Sequence, residues 1–256
     1  MNYIKVCGMR DAGNIRKVER LGIDMMGFIC WEGSSRFVAE VPAYLPECPR
    51  VGVFVNPSLD YVQQQAEAFG FSYIQLHGSE SPEFCKAVRE KTGCKIIKAK
   101  SLPRPLQRRG ERSQALDIES LTTDKERSQA LDIESLTTDK ERSQALDIES
   151  LTTDKELQRL FPPPLEGLGE ALLLFDTKCP THGGSGRKFN WDILRDYRGD
   201  LPFLLSGGIG PEDAGALRQF HHEKCLGIDI NSRFEVEPGI KDVEKIKQFI
   251  TALRKC

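Results

Sequence analysis

LLLFDTKCPTHGGSGRKFNW, residues 172–191, is the stretch on which the reading of this 256-residue chain turns. Its opening residues, Leu172 through Phe175, are uninterruptedly apolar, the form taken by a parallel strand covered on both faces. Asp176 stands where the run ends, and in an α/β sheet or barrel that end of a strand binds ligands. Gly183-Gly184-Ser185-Gly186 follows, ahead of Arg187-Lys188. Glycines let successive backbone N–H groups face one concavity, where an anion can sit. A carboxylate and a phosphate cradle are therefore expected within about ten residues of each other. A plain turn is the alternative for the glycines.

Seven further apolar runs flank this one, at residues 4–8, 25–30, 51–55, 73–76, 95–100, 202–205 and 226–230. Between them lie helical patterns. Residues 11–21 repeat apolar side chains at Ile15, Val18 and Leu21, with Asp11 as N-cap and Gly22 as the stop. Residues 59–69 form a helix ended by Gly70, and Ser81-Pro82-Glu83 opens another, Pro82 suiting a first turn. Residues 242–253 form a terminal helix. Eight strands separated by mostly helical segments predict an α/β fold, a (β/α)8 TIM barrel, with the chain 1–256 as a single domain. An open doubly wound sheet has the same ingredients and is the alternative.

One segment breaks the rhythm. ERSQALDIESLTTDK occurs three times in tandem, at 111–125, 126–140 and 141–155, as an insertion between strands 5 and 6. Without those 45 residues the chain keeps 211, enough for a barrel. Each copy carries a net charge of −2, so the remainder is +4 against −2 for the whole, which suits a phosphorylated ligand. Thr123 to Glu126 has the form of a capping box, so each copy is expected to start a helix of about three turns. A stripe repeating every 15 residues drifts around such a helix. The insert reads as a tolerated duplication, with a binding module as the alternative.

Apolar residues make up 39% of the chain and charged residues 29%, ordinary for a globular protein. No apolar run approaches the ~18 residues of a membrane span, and the amino-terminal sequence has no signal-peptide pattern. A cytoplasmic protein is expected. Eight cysteines (7, 30, 48, 85, 94, 179, 225 and 256) include no C-x-x-C pair, so neither structural zinc nor disulfides are expected. His221-His222 lacks further ligands at metal spacing and reads as helix-end surface.

Cys7, Arg36, His77, Asp176, the 183–186 loop, Ser206-Gly207-Gly208 and Asp229-Ile230-Asn231-Ser232 all fall at the same end of the predicted strands, hence at one mouth of a barrel. With IKVCGMR (4–10), MGFICWEGSSRFV (26–38), VGVFVN (51–56), IQLHGSE (74–80), LLFDTK (173–178), GGSGRKFNW (183–191), LSGGI (205–209) and GIDINSRFE (227–235), the chain resembles the phosphoribosylanthranilate isomerases of tryptophan biosynthesis. The resemblance implies an Amadori rearrangement, an aldose–ketose isomerisation by paired acid and base. It makes Cys7 the base and Asp176 the acid, and gives the anthranilate carboxylate to Arg36. His77 becomes a wall of the substrate pocket. The phosphate goes to Gly184, Ser185, Gly186, Gly207, Gly208, Asn231 and Ser232. It implies no cofactor and no metal, a phosphorylated small molecule as ligand, no nucleic acid or membrane partner, and a monomer or homodimer. Arg233 stands where relatives place a small residue, so it either reinforces phosphate binding or points to solvent. Lys5, two residues before Cys7 on the same strand face, is expected to lower the thiol's pKa. The rival readings are a related sugar-phosphate isomerase or epimerase with another substrate, and an idle barrel carrying a binding insert.

Overall fold

Eight parallel strands pair in chain order and close on themselves, β1 against β8, in the computed structural model of this chain. The structure describes residues 3–102, 171–177 and 191–255. The tandem repeats and the 183–186 loop lie outside the described residues. The strands are β1 (Tyr3–Val6), β2 (Met25–Ile29), β3 (Arg50–Phe54), β4 (Tyr73–Leu76), β5 (Lys95–Leu102), β6 (Ala171–Thr177), β7 (Phe203–Leu205) and β8 (Cys225–Ile230). The expected barrel is thus observed, and the open-sheet alternative falls. No helix among the described residues is long and apolar enough to cross a membrane.

The continuous apolar runs have a simple cause: both faces of every strand are covered. One face looks into the lumen, where Cys7, Met25, Val51, Val53, Ile97, Ala99, Leu172 and Leu174 pack together. The other carries Val6, Phe28, Phe54, Ile74, Phe175, Phe203 and Ile230 outward against the helices. Each fully buried phenylalanine contributes roughly 2–3 kcal/mol by removal from water.

Helices α1 (Ala12–Glu19), α2 (Leu59–Phe69) and α3 (Pro82–Thr92) start at Asp11, Ser58 and Ser81, whose side chains accept from Asn14 N, Tyr61 N and Phe84 N. Gly70 and Gly93 end α2 and α3 in left-handed geometry. Helices α4 (Ala214–Gln219) and α5 (Val243–Leu253) follow β7 and β8. After β2 no helix forms; Gly33, Pro42, Pro46 and Pro49 break the pattern, and the segment returns to β2 by a bridge from Phe37 to Ile29. His222, expected as surface, instead stacks at a tilt on Tyr197 and Phe203 and bonds the Tyr197 carbonyl at 3.0 Å.

Candidate active site

Parallel strands put all their C-terminal ends at one mouth, and there a cavity of about 720 Å³, its open mouth included, is lined from seven of the eight strand ends. Its walls include Cys7, Arg36, Gln75, His77, Asp176, Gly207, Gly208, Asn231 and Ser232. Every candidate among the described residues therefore meets in one place. Gly184, Ser185 and Gly186 lie outside the described residues.

Cys7 follows β1 and is held by its N–H, which donates to the Ile230 carbonyl at 2.9 Å. Its sulfur rests against Gly27, where an added Cβ would lie 2.8 Å from Sγ. Beneath it Lys5, fully buried, pairs with Asp229 at 2.8 Å, because the two residues are register partners across β1 and β8. Ser206 donates its hydroxyl to the other Asp229 oxygen at 3.2 Å. Burial pushes the Cys7 thiol up, Lys5 pulls it down, Asp229 raises it again, and the net shift is upward. The expected influence of Lys5 is present but outweighed. Lys5 itself loses charge stability by burial, yet Asp229 and Cys7 more than offset this and leave its pKa raised.

Asp176 ends the inward face of β6, and its Oδ2 lies 3.2 Å from His77 Nε2. The side chains are 14% and 10% exposed respectively, so both reach the cavity while remaining mostly covered. His77 belongs to a turn pinned from below. Lys98 donates to the carbonyls of Leu76 (3.3 Å) and Gly78 (2.7 Å) and to Glu80 (2.7 Å). Glu80 in turn accepts from the N–H of Asn56 at 2.8 Å and of Gly78 at 2.9 Å. Gln75, two residues before His77, faces the same cavity with its amide oxygen buried and, among the described residues, unpartnered.

Arg36 sits on the excursion after β2 and donates through Nε (2.9 and 3.0 Å) and Nη2 (2.7 Å) to Glu235. Gly8, with φ +76°, admits this arrangement: a Cβ there would lie 2.8 Å from Arg36 Cδ and 2.7 Å from Asn231 Oδ1. Opposite, Gly207 and Gly208 have φ of +85° and +70°, a turn that exposes backbone to the cavity beside Asn231 and Ser232. Arg233, 40% exposed, pairs with Glu212 at 2.7 Å and is not among the residues that line the cavity.

Sequence reasoning missed Gln75, Glu80, Lys98, Glu235 and Lys241. Gln75 and Lys98 left a trace as polar residues inside apolar runs, while Pro238-Gly239 marked a turn that brings Glu235 and Lys241 together. Among the described residues no group of three or more His, Cys, Asp and Glu is arranged to hold a metal ion.

A family model described as N-(5'phosphoribosyl)anthranilate (PRA) isomerase matches residues 4–148 and 140–252. The N-(5'-phosphoribosyl)anthranilate isomerase of Phocaeicola vulgatus is 38% identical to this chain over 252 residues, which is 98% of the chain and 97% of the relative. The crystal structure of phosphoribosyl anthranilate isomerase from Thermus thermophilus superposes with a TM-score of 0.65 at 23% identity, covering 98% of each chain. A further isomerase structure, in complex with reduced 1-(o-carboxyphenylamino)-1-deoxyribulose 5-phosphate, matches with a TM-score of 0.60 at 22% identity over 99% of each chain.

Proposed function

Because the chain belongs to the N-(5'-phosphoribosyl)anthranilate isomerase family, we propose that it converts N-(5-phosphoribosyl)anthranilate to 1-(2-carboxyphenylamino)-1-deoxyribulose 5-phosphate in tryptophan biosynthesis. The observation that carries the reading is the shared cavity: a thiol from the end of β1 and a carboxyl from the end of β6 line one pocket, with an arginine on its rim. The reaction needs one proton delivered and one removed. Asp176 gives a proton to the furanose ring oxygen as the nitrogen lone pair expels the C1–O bond, forming an iminium. Cys7, as thiolate, takes the proton from C2, and the C2–H electrons neutralise the iminium to an enamine that tautomerises to the ketone. The two transfers balance, so no redox partner enters and no cofactor is required.

His77, in contact with Asp176, is placed to hold the carboxyl's orientation. Arg36 offers the planar fork that a benzoate carboxylate fits. Gly207, Gly208, Asn231 and Ser232 supply the phosphate end of the pocket. The Gln75 amide oxygen, buried and without a donor among the described residues, supports a hydroxyl-bearing ligand, since a buried acceptor without a donor is unfavourable. The enzyme is read as cytoplasmic, working as a monomer or homodimer.

The test follows the fluorescence decay of phosphoribosylanthranilate. Wild type should consume it, and Cys7→Ala and Asp176→Asn should each lose about 10²- to 10⁴-fold in kcat. Undiminished turnover in either variant would remove that residue from its role.

A further inference from the structure

Glu235 holds Arg36 by one particular edge. A guanidinium has five N–H groups, and here Nε–H and one Nη2–H are spent on Glu235 at 2.7–3.0 Å. Left over are both Nη1–H groups and one Nη2–H, the end-on fork, and none of the described residues bonds Nη1. Arg36 is 13% exposed and lines the cavity, whereas the Glu235 side chain is 5% exposed behind it. We infer that Glu235 is a positioning residue that fixes Arg36 with its end-on edge toward the cavity and so sets specificity for a ring carboxylate. This rests on the function proposed above.

The support beneath Glu235 is built from the chain's last hairpin, Glu235–Glu237 paired with Ile240–Lys241 around Pro238-Gly239. That pairing puts Lys241 opposite Glu235, and its ammonium donates to Glu235 Oε1 at 2.6 Å and to Asn231 Oδ1 at 2.7 Å. Gly239 N–H adds a third donor to the carboxylate at 3.1 Å. Helix α1 then clamps the hairpin: the Asn14 amide donates to the Lys241 carbonyl and accepts its N–H, both at 2.8 Å. A single ammonium thus ties the residue behind Arg36 to Asn231 on the cavity wall.

Charge agrees with this role. Two cations, the buried Lys241 and the partly covered Arg36, share one anion, so the cluster carries a net +1, the complement of one carboxylate. Without Glu235, Arg36 and Lys241 would face each other uncompensated.

The test compares binding of reduced 1-(o-carboxyphenylamino)-1-deoxyribulose 5-phosphate with its aniline counterpart, which lacks the ring carboxyl, by titration calorimetry. Wild type should prefer the carboxylate compound. Glu235→Gln should lose about tenfold or more of that preference while its affinity for the aniline compound stays within about twofold. In turnover, its KM for phosphoribosylanthranilate should rise by more than its kcat falls. Equal weakening toward both compounds, or tighter binding of the carboxylate compound, overturns the inference. Where Glu235→Gln does not fold, Glu235→Asp is read in its place: a reduced preference supports the role and an undiminished one overturns it. A wild type without preference overturns it too, through the assignment of Arg36 and before any variant is made.

Discussion

Cys7 must give up its proton to act as a base, and its surroundings oppose one another on that point. Burial and Asp229 favour the thiol, while Lys5 and Lys241 favour the thiolate. Since the net displacement is upward, kcat/KM should climb with pH through neutrality toward that raised value. Lys5→Met removes a charge that lowers the pKa, so its climb should begin at higher pH. Stopped-flow pH–rate profiles of the two proteins decide this, and an unmoved limb would deny Lys5 any part. The spacing of Lys5 and Cys7 could be read from three consecutive residues. The counterweight could not: Asp229 meets Lys5 from 224 positions away, and only the β1–β8 register brings it there. For the same reason a sequence reading gives the direction of one influence and not the balance.

At the scale of elements, the turn after β4 shows how a polar pair becomes scaffolding. Lys98 and Glu80 have side chains 4% and 2% exposed, and together they engage backbone on both sides of Gly78. Lys98→Met leaves a buried carboxylate without its cation, and urea unfolding should register a loss of about 3 kcal/mol. The turn that presents His77 should loosen with it and lower kcat, whereas a surface pair such as Lys86–Glu90, about 60% exposed on both sides, should be dispensable. Strand and helix limits were legible here because each has a local cause. Serines 58 and 81 cap α2 and α3, Gly70 ends α2, and β4 was bounded correctly to the residue. The excursion after β2 was not: its shape is set by the bridge to Ile29, a contact that local propensity does not encode.

For the whole molecule, the decisive junction is β5 with β6, which run side by side through seven register partners from Ile96↔Ala171 to Leu102↔Thr177. The tandem repeats fall between these strands in sequence, and every described cavity residue lies outside them. Excising residues 111–155 should leave turnover within about threefold and alter stability by about 1 kcal/mol, because each doubling of a connecting loop costs only about 0.6 kcal/mol. Phosphoribosylanthranilate decay and a thermal melt of the shortened protein check both numbers, and a collapse of turnover would give the insert a role in the enzyme. The clamp between Asn14 and Lys241 spans 227 positions. On a ribosome, then, the cavity walls through β8 emerge first, and the brace behind Arg36 can be set only once residue 241 has left the exit tunnel. The residues that brace Arg36 are thus translated after every strand of the barrel, together with the terminal helix whose Ile246, Phe249 and Ile250 complete the core.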